Sequence, residues 1–579
     1  MRFSILSYLL KVLLFLYVSP PFNFIQTSID SIPLHFHTPN ISYTLDYGRI
    51  IQKSPSLVLK PKTPQDISLL LQSISSIDNN LTVAARGAGH STHGQAHAPD
   101  GIIVDMTELP RAITVGKTKV GCDGNDHFFV DADGGALWIE ILEETLKHGL
   151  TPPSWTDYLY LTVGGTLSVG GIGGQTFKYG PQIANVFEMD VVTGRGELMT
   201  CSEVKNPDLF YAVLGGLGQF GIITRARIAL EVAPKMVKWI KLFYDDFNRF
   251  TRDQEHLMSM EKVDYVEGFI KLNEDSHSSS HVTSRLSLDV ENHSKRMVEN
   301  YAIEIAIYYN EDEAIHQKLD EILSRLSFIP PEILNVDISY LDFLNRVRLE
   351  EQKLHNQGLW EVPHPWLDLF VPRSHINQFK DLLLQTISTT PIGGPLIIYP
   401  VLKHKWNQKM SIILPQDQVG EDIFYVVNLL RSVAPSCRTY GSSCLQIFLA
   451  QNQEIIEIST SKASICRRNT EVDIITDTID GTLGTMMAID GVMGATMMDI
   501  YGGFCMRKME GREVEMMDGG DGMGVKQYMP YLMDESGWRG HFGEEWERFE
   551  ELKSKFDPLH VLSPGQRIFK RKIKGGCIL

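Results

Sequence analysis

Val83-Ala84-Ala85-Arg86-Gly87-Ala88-Gly89-His90-Ser91-Thr92-His93-Gly94-Gln95 sets a histidine inside a glycine turn. Leu81 to Ala85 and Gly101 to Met106, on either side, are apolar runs of strand length with no helical period between them. A dinucleotide fingerprint of the usual kind needs a helix that starts at its glycines, and none starts here. The turn can still hold a phosphate. Consecutive backbone N–H groups in a glycine turn form an anion nest, and the missing Cβ atoms let a pyrophosphate come close. His90 would then stand beside whatever the phosphates carry. Taken alone, the stretch fits a tight hairpin with a solvated histidine equally well.

The rest of the chain narrows the choice. Its 579 residues exceed one hydrophobic core, and a hydrophobic fraction of 43% is that of a globular protein. A formal net charge of −17 leaves no basic excess for nucleic acid or an anionic membrane. Residues 5–18 form an apolar stretch after Arg2 and before Pro20-Pro21, interrupted by Lys11 and too short to span a bilayer comfortably. This reads as a cleaved signal peptide, set at residues 1–26. Sequons at Asn40, Asn80 and Asn292 agree with secretory entry and glycosylation. The seven cysteines are odd in number and lack paired metal spacing, so no metal site is expected.

Thr63-Pro64-Gln65-Asp66 carries the chemistry of a helix start, and Ile67, Leu70, Leu71, Ile74 and Ile77 line one face of the helix it opens. A second helix is expected over about 136–148, with Gly149 just past its end. Glycines crowd Val163–Gln175 and Leu214–Ile223 with Leu, Val, Phe and Ile between them. That mixture suits backbone passing close to a large flat ligand better than it suits a linker. From about 235 to 450 helices with aromatic anchors alternate with short strands, as a second domain would. Residues 465–523 differ again, with repeated Met-Met, Gly-Gly and Asp-Gly pairs and no sustained period. Trp546, Phe549, Leu552 and Phe556 then mark an amphipathic helix stopped by Asp557-Pro558.

Several separated stretches carry a family resemblance. Pro153-Ser154-Trp155-Thr156-Asp157-Tyr158-Leu159-Tyr160-Leu161-Thr162-Val163-Gly164-Gly165-Thr166-Leu167-Ser168 is the longest. With Gly89-His90-Ser91, Tyr265-Val266-Glu267-Gly268, the Trp360–Phe370 segment and Ser563-Pro564-Gly565-Gln566, it resembles the cytokinin dehydrogenases over about residues 35–460 and 524–570. The resemblance implies an α+β fold, with an FAD-binding domain of the vanillyl-alcohol-oxidase/PCMH type and an α+β substrate (cap) domain. The FAD-binding domain would be discontinuous, at 40–232 and 524–579. The cap would cover 233–523, with an anomalous insertion at about 465–523.

The resemblance also implies roles. His90 matches the residue that links covalently to FAD. Ala85, Gly87, Ala88, Gly89, Ser91 and Gln95 would surround the pyrophosphate and the adjoining flavin edge. Thr162, Ser168, Ile172, Ile222, Tyr528, Ser563 and Gln566 match further cofactor-lining positions. Asp157 falls on the catalytic carboxylate, beside the cofactor, and desolvation next to an apolar aromatic substrate suits a base. Glu267 matches the contact to the far side of the purine and would favour free-base cytokinins. Trp360 and Trp366 offer flat apolar walls, or ordinary core. Family members often carry histidine at Ala88 and asparagine at Val169, differences expected to tune the site.

The implied reaction is oxidative cleavage of the N6 side chain of isoprenoid cytokinins to adenine and an aldehyde, with oxygen or a quinone as electron acceptor. The alternatives are an inactive flavin- or cytokinin-binding protein, or a related FAD-linked oxidase of sugars or alkaloids. The expected protein is a secreted, extracellular (apoplastic) monomer without membrane or nucleic-acid partners, with vacuole or endoplasmic reticulum as the other destinations.

Overall fold

In the computed structural model of the chain, the described residues are 32–77, 80–119, 126–272, 299–310, 314–330, 333–387, 393–415, 420–439, 442–460 and 522–572. The chain divides into two units, Met1–Thr460 with Met523–Leu579, and Ser461–Gly522. The first unit holds all the elements named here. The expected leader, the sequon at Asn292 and the anomalous stretch up to residue 521 lie outside the described residues, as do Cys122, Cys466, Cys505 and Cys577.

Four strands form the first sheet: β1 (Phe36–His37), β2 (Leu57–Leu59), β3 (Val83–Arg86) and β4 (Ile102–Asp105), in the order β1-β2-β4-β3. β3 and β4 are parallel, with Ala84 opposite Ile103. The glycine turn is therefore no hairpin. It opens a crossover over residues 87–101 that contains no helix, where parallel strands are usually joined by one. The helix Pro64–Ser76 begins as the sequence predicts: Thr63 accepts from Asp66 N, and Asp66 reaches back to Thr63 N at 3.0 Å. Its buried Ile67, Leu70, Leu71 and Ile74 share a core with Val83, Ile102 and Val104.

The second sheet has β5 (Ile113–Lys119), β6 (Asp126–Asp133), β8 (Val186–Thr193), β9 (Leu198–Ser202) and β10 (Gly221–Val232), in the order β5-β6-β10-β8-β9, with β7 (Leu150–Thr151) on the end of β10. The expected second helix spans Trp138–Leu146 and buries Trp138, Ile139, Ile141 and Leu142 against it.

The third sheet is larger. It contains β11 (Met236–Tyr244), β12 (Tyr265–Leu272), β13 (Glu299–Tyr309), β14 (Ile333–Ser339), β15 (Leu367–Pro372), β16 (Leu396–Leu402) and β17 (Ile423–Leu429). A ribbon of β18 (Arg438–Thr439) and β19 (Ser442–Ser443) stands apart and is flanked by the disulfide Cys437–Cys444. β20 (Lys526–Gln527) completes the third sheet, in the order β14-β11-β13-β12-β16-β17-β15-β20. Side chains alternate between its faces, as strands require. Ile240, Leu242, Val266, Ile270, Leu369 and Val371 pack on the covering helices. Trp239, Lys241, Glu267, Phe269, Asp368 and Tyr399 line a cavity on the opposite face.

Candidate functional site

The cavity measures about 2780 Å³, well beyond the roughly 300–1,000 Å³ of an ordinary small-molecule site. It has room for more than one ligand. Every residue that the sequence assigns to the cofactor or to catalysis lines it, with the exception of Ser563. That hydroxyl is committed to the carbonyl of Phe569 at 3.0 Å, and the neighbouring Pro564 lines the cavity in its place. Trp360 and Trp366 are wall residues too, as are Ala88 and Val169.

The turn at one end is braced from below. Arg86 donates to the carbonyls of Ser42 and Leu45, both at 2.8 Å, and its guanidinium fills the space that a Cβ on Gly89 would need. Gly89 has φ +69°, which favours glycine. Asp46 holds the far arm by accepting from Ser91 Oγ at 2.9 Å and Gly94 N at 2.5 Å. Thr162 joins this turn to the second glycine run: its hydroxyl sits 2.0 Å from where a Cβ on Gly87 would lie and 2.9 Å from one on Gly165. The short helix Val163–Leu167 comes next, anchored by Trp138 Nε1 donating to Thr166 at 2.8 Å. The C-terminal segment closes the same end. Gly565 donates to the Gln95 carbonyl, and a Cβ on Gly565 would fall 1.6 Å from the Gly94 carbonyl.

These residues fit an extended phosphate-bearing cofactor. Gln95 Nε2 and Gln566 Oε1 are buried polar atoms without partners, on two residues that line the cavity beside the turn. Unpaired buried polar groups are rare in folded proteins and call for an explanation. A bound FAD would satisfy them, and glycine backbone would take its pyrophosphate.

His90 lies between two tyrosine rings, Tyr47 at 3.9 Å and Tyr158 at 4.9 Å between centroids. Burial, then nearby His364, brings its pKa down to about 3, so the imidazole is neutral. Tyr47 stacks on His364 with its other face. Tyr47 carries no local sequence signal.

Deeper in, Asp157 receives hydrogen bonds from Arg346 Nη2 at 2.7 Å and from Tyr265 OH at 3.0 Å. Glu267 lies beside Asp157. Glu267 is 2% exposed, and one of its oxygens, Oε1, has no partner. Burial and then the Asp157 carboxylate push Glu267 well above the usual carboxylate range, against the opposing pull of Arg346. The site thus favours the neutral form of Glu267. The carboxylate that the resemblance assigns to catalysis carries a guanidinium and a tyrosine hydroxyl on one oxygen, with the second assigned carboxyl, Glu267, beside it. Arg346 begins the helix Arg346–Asn356, 189 residues from Asp157, and no local pattern announces it.

Comparison with known proteins matches this geometry. Residues 234–469 and 503–569 match the family described as "Cytokinin dehydrogenase 1, FAD and cytokinin binding", and residues 55–202 match an FAD binding domain. The first match passes over residues 470–502, inside the stretch read as anomalous. Cytokinin dehydrogenase 3 of Oryza sativa subsp. japonica is 44% identical over 572 residues, covering 97% of this chain and 95% of the relative. Cytokinin dehydrogenase 1 of Arabidopsis thaliana is 41% identical over 535 residues, covering 91% and 80%. Among solved structures, a BBE-like protein of Physcomitrella patens superposes with TM-score 0.61 at 13% identity, covering 94% of this chain and 99% of that one. A VAO-type flavoprotein from Myceliophthora thermophila C1 gives 0.56 at 13% identity, covering 89% and 79%. The two structures bear on the fold alone.

Proposed function

This chain belongs to the cytokinin dehydrogenase family, and from that premise we propose that it is an FAD-dependent oxidoreductase that cleaves the N6 side chain of isoprenoid cytokinins to adenine and an aldehyde. The observation that carries the reading is one cavity joining the glycine turn of His90 to the pair Asp157–Glu267.

FAD would be held by the turn 87–91, Gln95, Thr162 and the segment around Gln566, and when bound it supplies the two-electron sink that takes hydride from the carbon next to N6. His90 is the candidate for covalent attachment: it is neutral, faces the cavity and is clamped between two rings. Asp157 accepts the N6 hydrogen bond and then the proton, so that the side-chain carbon and N6 become joined as an imine, which water hydrolyses to adenine and the aldehyde. The unpartnered Oε1 of Glu267 is an acceptor awaiting a second N–H. A ring nitrogen bearing a sugar offers none, so free bases are the favoured substrates. The aromatic walls of Trp360 and Trp366 receive the flat and apolar parts of the ligand. A quinone or oxygen then takes the electrons.

Purified holoenzyme mixed anaerobically with isopentenyladenine should lose its flavin absorbance and release adenine. Asp157→Asn should keep the flavin and slow the bleaching by about 10²–10⁴-fold, the usual contribution of a general base. An Asp157→Asn protein that bleached like wild type would sink the assignment. Covalent attachment predicts colour that survives acid precipitation in wild type and not in His90→Ala.

The apolar leader, the exposed sequons Asn40 and Asn80 and the disulfide Cys437–Cys444 support secretory entry of a glycosylated protein with the apoplast as destination and the vacuole or endoplasmic reticulum as the other candidates. Mass spectrometry of the plant-expressed protein tests both asparagines for glycans.

A further inference from the structure

The neighbouring carboxyls of Asp157 and the buried Glu267 do not ionise independently, and the surrounding charges decide where their shared proton rests. Those charges are arranged asymmetrically. Arg346 Nη2 lies 2.7 Å from Asp157 Oδ1 and also donates to the Tyr265 hydroxyl, which itself donates to the same aspartate oxygen. The guanidinium is held in place by ring faces, 4.7 Å above Phe343 and 5.0 Å above Tyr265. On the other side, Glu267 stands opposite Glu304 across β12 and β13. The second cation nearby, Lys241 on β11, is engaged by Glu304 at 2.5 Å. Tyr399 on β16 and Tyr308 on β13 face the cluster uncharged. Among the described ion pairs, Asp157 has a cation and Glu267 has none.

We propose that Arg346 is a positioning residue that fixes Asp157 as the anion of the pair and leaves the shared proton on Glu267. The proposal rests on the reading of Asp157 as the acceptor of the substrate proton. It explains how a base survives beside a second acid. The guanidinium and the Tyr265 hydroxyl occupy Oδ1, and a neutral Glu267 lets Asp157 carry its negative charge until the substrate proton neutralises it.

The test uses holoenzymes of wild type, Arg346→Gln, Arg346→Lys, Asp157→Asn, Glu267→Gln and the double variant R346Q/D157N. The rate of anaerobic flavin bleaching by isopentenyladenine is followed against pH. Removing the cation should move the acid limb of the R346Q profile to higher pH by about 1–3 units, the usual effect of one neighbouring opposite charge, with Arg346→Lys close to wild type. A uniform rate loss with an unmoved limb would overturn the proposal. Infrared spectra supply a readout independent of turnover. Wild type should show a protonated-carboxyl band that E267Q removes, and R346Q should add a second band that the D157N exchange removes. A wild-type spectrum without the first band, or an R346Q spectrum without the second, counts against the proposal. If R346Q fails to accumulate, the double variant decides: soluble flavin-loaded protein supports the pairing, and failure of both marks Arg346 as structural and overturns it. A wild-type enzyme that does not bleach overturns the cytokinin reading and leaves the infrared comparison standing.

Discussion

Asp368 is a carboxylate on the cavity side of β15, where burial pushes its pKa from 3.8 up to about 6 against the restraint of the Asn428 amide, 2.6 Å away. The sign of its contribution follows from linkage. A carboxyl whose folded pKa is raised stabilises fully below its unfolded value and loses that contribution as pH climbs through the folded value. Between pH 3.8 and about 6 the native state therefore gives up stability at this residue. A shift of this size is worth at most about 3 kcal/mol. Asp368→Asn keeps an oxygen for Asn428 and removes the titration. Its thermal unfolding should match wild type near pH 4 and become the more stable by up to that amount at pH 7.5. A stability difference independent of pH would remove the carboxyl charge as its cause.

At the scale of elements, the glycine turn and the second glycine run are locked together through one hydroxyl. A methyl group on Gly87 would stand 2.0 Å from Thr162 Oγ1, which is itself confined by Gly165. Gly87→Ala should displace the junction and yield protein poor in flavin, read from the ratio of flavin to protein absorbance. Gly149→Ala is the contrast. Gly149 has φ +67°, and a methyl group there would have no neighbour within 4 Å, so about 1–2 kcal/mol of backbone strain is expected with flavin content unchanged. Equal flavin loss in both variants would mean that strain anywhere, not the junction, empties the site. What was legible in the sequence divides along the same line between local and distant contacts. The helix Pro64–Ser76 could be read because its cap and its apolar period are local. The turn could be read as a turn because its glycines are local, but not as the start of a parallel crossover, since the Ala84–Ile103 pairing is set by tertiary packing. Asp157 and Glu267 were visible through resemblance. Arg346 and Tyr47 were not, because each meets its partner across a distance in sequence that no window spans. Ser563 stands off the cavity wall because its turn spends the hydroxyl on Phe569, a local choice of rotamer that spacing does not reveal.

At the scale of the whole molecule, the cofactor end of the cavity is closed by chain from the far C-terminus, and one buried charge pins it there. Lys553, on the helix Trp546–Phe556, is fully buried. Its ammonium donates to the Gln219 carbonyl at 2.8 Å, to Asp557 at 2.9 Å and to the Leu562 carbonyl at 2.6 Å. Asp557, equally buried, accepts from the backbone of Val561 and Leu562, both at 2.8 Å. Val561 in turn receives the N–H of Val83 at the head of β3, and Gly565 reaches Gln95. The pin thus runs from the glycine run Leu214–Ile223, through the C-terminal loop, to both arms of the His90 turn. Replacing Lys553 by Met would leave Asp557 as a buried anion without its cation, at a cost of about 3–5 kcal/mol. Because the loop that Lys553 holds carries Gln566, the same change should loosen flavin binding, which simple destabilisation elsewhere would not do. In Lys553→Met/His90→Ala, where no covalent link retains the cofactor, flavin should dissociate on warming well below the unfolding temperature. In His90→Ala alone, release and unfolding should coincide. Coincident release and unfolding in both would separate Lys553 from the flavin site and reduce it to a general stabiliser of the fold.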